Sequence, residues 1–329
     1  MSLDADALVD RRRMRRKLTF WRVLAVLVAV AGVVAVATAL RGRADLGFGG
    51  PGSAQIARVS IKGVIRNDQD RVEALERLAK SRAARAVIVH IDSPGGTTAG
   101  SEQLHTALRK VAETKPTVVV VDGMAASGGY IAAMAADHIV AQGNSIVGSI
   151  GVLFQYPNVA DLMKTIGIKL EEVKSSPLKA APNGFEPTSP EARAAIAALV
   201  ADSYDWFRGM VKERRGIDGE LLARVTDGRV FTGRQGVELK LVDAIGTEET
   251  AVAWLAKQKG IDPKLPVRDW KLEARLGDLS FLHLGSTALA EAVGLGPLAR
   301  ALVGTGTIQS FERLSLDGLL ALWHPAASD

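Results

Sequence analysis

The 329-residue chain contains no cysteine. A thiol nucleophile, a cysteine-bound zinc, an iron–sulfur cluster and a disulfide framework are excluded, and a chain of this length buries enough core to need no such staple. An excess of positive charge is also missing over most of the sequence. Of the formal +5, residues 1–43 supply +6, from nine Lys and Arg against Asp4, Asp6 and Asp10, which leaves the remainder at −1. A body without basic excess offers little to a phosphate backbone, so nucleic acid is excluded as a partner. The phosphate loop G-x-x-x-x-G-K-[ST] does not occur, so ATP and GTP are not expected as ligands.

One long apolar run is present, at the N-terminus. Val23–Leu40 carries no charge over 18 residues, and Leu18–Leu40 reaches 23 if Arg22 snorkels to the interface. Six cations in the seven residues Arg11–Lys17 precede it, with Phe20 and Trp21 at the boundary. The positive-inside rule then predicts a cytoplasmic N-terminus and a body carried across the membrane. A cleaved signal peptide is the competing reading, since Ala35-Val36-Ala37 and Ala37-Thr38-Ala39 have small-residue spacing. The run exceeds the usual signal-peptide core and lacks a polar region before those sites, which favours an uncleaved anchor. The expected layout is a basic cytoplasmic segment 1–17, a transmembrane anchor 18–40 and a Gly-rich linker 41–55. A folded domain over 56–262 and a C-terminal extension 263–329 of unassigned role follow.

Within the folded domain short apolar runs alternate with helical periods. Strands are predicted at Ile56–Val64, Ala86–Ile91, Thr117–Val121 and Ile168–Val173. Helices are predicted at Asp68–Lys80, Ala99–Ala112, Ser127–Ala136, Asn158–Gly167, from Ser189 to about Arg215, and at Leu221–Val225, Gly233–Leu239 and Glu248–Lys257. The alternation predicts an α/β fold: a parallel sheet with helical crossovers, whose sites collect where strand C-termini meet helix N-termini. Lys174–Pro190, with four prolines, reads as a loop or extended arm.

Two Gly-rich turns follow two buried strands, Asp92-Ser93-Pro94-Gly95-Gly96 and Asp122-Gly123-Met124-Ala125-Ala126-Ser127-Gly128-Gly129-Tyr130. Each leaves backbone N–H groups free at a helix start, where developing negative charge is stabilised. Ser127 is therefore placed to attack a carbonyl while neighbouring amides receive its oxygen. As a bland alternative Ser127 only caps the helix. The nucleophile needs a base. None of the five histidines lies in a loop with an evident Asp to orient it, which counts against a Ser-His-Asp triad. A lysine kept neutral by burial can replace histidine, and Lys169, Lys174 and Lys179 lie on the arm.

These segments together resemble the signal peptide peptidase A family. The resemblance runs through Asp92–Gly96, Ser127-Gly128-Gly129-Tyr130, Gly148-Ser149-Ile150-Gly151-Val152, Lys174-Ser175-Ser176-Pro177-Leu178-Lys179 and Asp227-Gly228-Arg229-Val230-Phe231-Thr232-Gly233, and covers about residues 56–258. It implies a caseinolytic-protease/crotonase-like core and a membrane-anchored serine–lysine endopeptidase of the short, one-module form. Ser127 matches the nucleophile, Lys179 the general base and Ser149 a serine that holds the lysine amine. Gly95 and Gly128, with Gly96 as the alternative to Gly95, match the oxyanion amides. No metal and no cofactor is implied. The implied substrates are remnant signal peptides and other short unfolded segments, in a homo-oligomer at a bacterial-type inner membrane with the catalytic domain outside the cytoplasm. Two features depart from the family pattern: Pro177 within the lysine turn, and Asp92 where Asn is frequent. Two other readings are a stomatin-linked type of membrane serine–lysine protease and a catalytically idle ring scaffold.

Overall fold

The computed structural model describes Trp21, residues 54–272 and residues 320–322. The chain parts into two units, Met1–Ser53 and Ala54–Asp329. Among the described residues no helix is long and apolar enough to cross a membrane, and the run 18–40, apart from Trp21, lies outside them.

The second unit opens with β1 (Gln55–Ile65), α1 (Gln69–Lys80), β2 (Ala84–Thr97), α2 (Thr98–Thr114) and β3 (Thr117–Ala126). The short α3 (Gly128–Ala133), β4 (His138–Ala141) and β5 (Ile146–Gly148) come next, then α4 (Ala160–Thr165) and the long α5 (Pro190–Arg215). The chain continues through α6 (Gly219–Val225), β6 (Val230–Thr232), α7 (Gly233–Glu238), β7 (Ala244–Ile245), α8 (Glu248–Lys259), β8 (Val267–Asp269) and β9 (Leu320–Leu322).

One sheet holds all the described strands, in the order β6-β5-β3-β2-β1-β8, with β4 also on β3, β7 on β4 and β9 on β2. Pairing is parallel except for β5–β6 and β2–β9. Alternation along the central strands splits the core into two layers. Ala57, Val59, Val87, Val89, Val119 and Val121 face α1, α2, α3 and α5. Ile56, Ile88, Val118 and Val120 face Ala251 and Leu255 of α8 on the other side.

Local chemistry explains the element ends. Asp68 accepts the Arg71 amide at 3.0 Å to start α1, whose Leu75 and Leu78 are fully buried; burying each contributes about 1.5–3 kcal/mol. Ser189 accepts the Ala192 amide at 3.1 Å before Pro190, and Gly216 at φ 62° ends α5, as its cap, first-turn proline and following glycine predict.

The expected boundaries fail in an informative way at the two Gly-rich segments. Their composition predicts turns that end the strands, but β2 runs on through Ser93–Thr97 and β3 through Asp122–Ala126. Gly95 and Gly96 stay in register with Val64 and Ile65 of β1, and Met124–Ala126 pair with β5. The first half of β3 pairs instead with β4. The segment Ile168–Val173 is not a strand: Ile168, Leu170 and Val173 are exposed and pair with nothing in the sheet. Its apolar residues therefore signal an uncovered surface. Beyond Asp262, β8 and β9 both join the main sheet.

Candidate active site

Ser127 is the junction between β3 and α3. Its backbone sits at φ 53° and ψ −117°, a conformation that costs a non-glycine residue about 1–3 kcal/mol. The surroundings enforce it: the Ser127 amide donates to the Gly148 carbonyl at 2.8 Å, while the Ser127 carbonyl accepts from Tyr130 and Ile131 at 2.9 and 3.0 Å. The hydroxyl makes no cap hydrogen bond, so the capping alternative does not account for this serine.

Four described non-glycine residues have positive φ. Two are Ser127 and Ser149, and a third, Ala180, follows Lys179. Backbone strain gathered at these positions points to function.

The short α3 is held from its far end. Arg214 donates to the Met134 and Ala136 carbonyls at 2.8 and 2.9 Å, and Arg109 to the Ala135 carbonyl at 2.7 Å. The buried Tyr130 hydroxyl donates to the Leu241 carbonyl at 2.8 Å, and burial raises its pKa. Its near end packs on β2. A Cβ at Gly129 would lie 2.6 Å from the Ser93 carbonyl oxygen, so only glycine permits this approach.

The candidate oxyanion amides differ. Gly128 heads the helix, where an amide has no partner within the helix, and no hydrogen bond to its N–H is seen among the described residues. The Gly95 amide donates to Ser93 Oγ at 3.1 Å, and that hydroxyl donates to the Gly63 carbonyl at 2.6 Å. An oxyanion at Gly95 must therefore replace an internal acceptor. Gly96 is packed so closely on β1 that a Cβ would lie 1.7 Å from the Ile65 carbonyl oxygen.

Ser149 is 8% exposed and fixed by its amide, which donates to the Arg229 carbonyl at 2.8 Å. The Ser127–Gly148 hydrogen bond and the Ala126–Gly148 pairing bring the Ser127 and Ser149 turns together.

The lysines are elsewhere. Lys179 lies in a turn whose amide donates to the Ser176 carbonyl at 3.1 Å; it is exposed, and no side-chain hydrogen bond or ion pair is seen for it among the described residues. The described chain does not bring it to Ser127. Lys174 is engaged by Glu172 and by Glu186, the latter at 2.9 Å, and the Glu172 hydrogen bond leads the effects that raise its pKa. That lysine is held in the protonated form.

Neither of the described strand histidines, His90 and His138, fits a base for Ser127. His90 does have carboxylates beside it, but its two nitrogens are each taken, by Asp122 at 2.8 Å and Glu248 at 2.9 Å. His138 stacks on Trp254 with centroids 4.6 Å apart, and burial lowers its pKa.

A model of peptidase family S49 matches residues 109–262, and a Clp protease model matches residues 58–145. The chain is 36% identical over 211 residues to a Synechocystis protein named as a candidate protease, spanning 64% of this chain and 76% of that one. It is 34% identical over 224 residues to a Methanocaldococcus jannaschii protein named in the same way, spanning 68% and 71%. With the chloroplastic serine protease SPPA of Arabidopsis thaliana it shares 30% identity over 271 residues, 82% of this chain and 38% of that one. The chain belongs to the signal peptide peptidase A family, peptidase family S49.

The S49 chain has the Clp-protease-like α/β fold with a mostly parallel sheet, and the family makes it a peptidase. Its motif Asp227–Gly233 acts as scaffold here. Asp227 pairs with Arg229 at 2.6 Å, the Arg229 carbonyl receives Ser149, and Val230–Thr232 form β6 against β5. Thr232 then caps α7 through a reciprocal bond with Gln235. Sequence reasoning misses Ser93, although it is the one hydroxyl in its turn, and Leu153, whose bridge to Leu320 has no local signal.

Proposed function

We propose that this S49 peptidase is a membrane-anchored serine endopeptidase with Ser127 as nucleophile and Lys179 as general base. The observation that carries the reading is the strained Ser127 junction, whose hydroxyl makes no cap hydrogen bond and which stands next to the Gly128 amide, for which no partner is seen among the described residues. Neutral Lys179 takes the Ser127 proton as Oγ attacks a peptide carbonyl, with Ser149 holding the amine. Gly128, together with Gly95 or Gly96, stabilises the oxyanion. The protonated lysine then gives its proton to the leaving amine, and Lys179 activates water for deacylation.

A lysine serves as base only where burial makes its neutral form accessible. Lys179 is exposed on an arm that, together with the segment before it, also exposes Ile166, Ile168, Leu170, Val173, Leu178 and Phe185. We therefore assign the burial to a closed homo-oligomer, in which neighbouring copies cover the arm and complete the site. The basic block and the apolar run 18–40 support a single-pass anchor with the catalytic domain outside the cytoplasm, and 56–262 as the peptidase domain. Remnant signal peptides and other short unfolded segments are the proposed substrates.

The test is labelling of the detergent-solubilised full-length chain with a fluorophosphonate. Saturating modification at Ser127, lost in Lys179→Ala, supports the dyad. An unlabelled, assembled chain means an idle ring scaffold instead.

A further inference from the structure

The end of α3 that points away from Ser127 is held by charge. Met134, Ala135 and Ala136, which close this helix, are buried, and carbonyls at a helix end have no partner within the helix. Arg214 of α5 and Arg109 of α2 satisfy all three, Arg109 through its Nη1 bond of 2.7 Å to the Ala135 carbonyl. Among the described residues no carboxylate lies within ion-pair distance of either guanidinium. Asp137, the carboxylate that acts most strongly on Arg214, pairs instead with Lys259 at 3.7 Å. His105, one turn before Arg109, registers both charges: burial first, then Arg214 and Arg109, push its pKa down to about 4.

From that end a continuous file of peptide groups leads to the Ser127 junction. Arg109 donates to the Ala135 carbonyl, and the N–H of the same peptide group, on Ala136, donates to the Ala133 carbonyl at 3.2 Å. The next N–H, on Met134, donates to the Tyr130 carbonyl at 3.0 Å, and the next, on Ile131, to the Ser127 carbonyl at 3.0 Å. The peptide group of the Ser127 carbonyl carries the Gly128 N–H. A carbonyl that accepts a hydrogen bond polarises its own peptide group and strengthens its N–H as a donor, by about 10–30% per bond. A cation at the start of this file therefore leaves the Gly128 amide more positive at its far end. The helical rise puts the Arg109 charge about 15 Å from that amide. Across that distance, at an effective dielectric of about 20, one elementary charge shifts an equilibrium by about fivefold.

We propose that Arg109 is a positioning residue for peptide hydrolysis: through the peptide groups of Ala135, Ala133, Tyr130 and Ser127 it strengthens the Gly128 amide as donor to the oxyanion, while Arg214 holds the same helix end. The proposal rests on the reading of Gly128 as an oxyanion amide for what the stronger donor serves. It adds a charged residue that touches neither substrate nor nucleophile.

The test compares the full-length chain with Arg109→Gln, which keeps an N–H donor without the charge, and Arg109→Lys, which keeps the charge. The first readout is hydroxide-catalysed hydrogen exchange of the Gly128 amide, resolved by mass spectrometry. This exchange passes through the deprotonated amide, an anion, so lost polarisation slows it, whereas a merely loosened helix speeds it. Exchange should slow by about fivefold in Arg109→Gln and stay near the parent rate in Arg109→Lys. In hydrolysis of a reporter peptide, kcat should fall by a similar factor in Arg109→Gln at unchanged KM, with recovery in Arg109→Lys. Unchanged or faster Gly128 exchange in Arg109→Gln overturns the proposal, and a lowered kcat beside it leaves the peptidase reading in place. Slower exchange in a chain no form of which hydrolyses peptide leaves the polarised amide standing and sinks the peptidase reading. If Arg109→Gln does not fold, Arg214→Gln removes the neighbouring charge and leaves the Ala135 bond intact. It should slow Gly128 exchange at least about twofold, and an equal or faster rate there counts against the proposal in the same way.

Discussion

The Ser127 amide donates to the Gly148 carbonyl at 2.8 Å, so the two serine-bearing turns are joined through backbone, one residue before Ser149. The position of each serine is thus set by main-chain atoms that a side-chain substitution leaves in place. Activity and stability should separate in variants of either residue.

Ser127→Ala is the sharpest case. The hydroxyl caps nothing, and alanine inherits the same backbone conformation, so unfolding free energy should change by less than about 0.5 kcal/mol. Peptidase activity should drop by about a thousandfold or more. Denaturant unfolding read beside a peptide-hydrolysis assay checks both, and activity above a few per cent refutes the nucleophile.

Gly129→Ala should behave in the opposite manner. Its Cβ would press on the Ser93 carbonyl oxygen at 2.6 Å, backbone against helix, and neither can yield locally. Stability should fall by about 1–3 kcal/mol and activity with it, as α3 moves off β2. Unfolding at wild-type denaturant concentrations would show that the contact relaxes freely.

The lysines should divide cleanly. Lys174 is held protonated by its ion pairs with Glu172 and Glu186, so Lys174→Ala should keep activity within about threefold. Lys179→Ala and Lys179→Arg should both be inactive, because guanidinium does not give up its proton in the working range. The rate should rise with pH along one limb in the parent and lose that limb in Lys179→Ala. An inactive Lys174→Ala would place the base five residues earlier.

A pH effect on stability is expected at His105. Burial, then the Arg214 and Arg109 charges, push its pKa down to about 4, and its Nε2 is buried with no partner among the described residues. The unfolded chain binds the proton more readily than the folded one, so this stability is present above about pH 6.5 and is lost as pH falls through 6.5 toward 4. Between pH 7.5 and 5 the loss should be about 2 kcal/mol. Urea unfolding at both values should show that difference shrinking by about the same amount in His105→Leu; an unchanged difference would place the proton elsewhere.

Much of the fold was legible because the relevant forces are local. Asp68, Ser189 with Pro190, and Gly216 announce helix ends by their own hydrogen bonds or dihedrals, and the apolar runs of β2 and β3 need burial on both faces. Ser127 and Ser149 were legible as residues in Gly-rich segments. Their strain was not, because it is imposed by Gly148 and Arg229 from distant sequence. The continuation of β2 through Pro94 was hidden for the same reason: glycine and proline signal a turn locally, while pairing with β1 and β9 keeps the chain extended. Ile168–Val173 differs in the other direction: its apolar alternation predicts a strand, but Ile168, Leu170 and Val173 are exposed.

The uncovered apolar arm bears on how the protein can be handled. A detergent that extracts a membrane-anchored chain also adsorbs to Ile168, Leu170, Val173 and Phe185, the residues proposed to hold neighbouring copies together. Loss of activity on solubilisation would then report disassembly of a still-folded chain. Circular dichroism should remain native-like in such a sample, and removing the detergent by exchange into lipid nanodiscs should restore turnover.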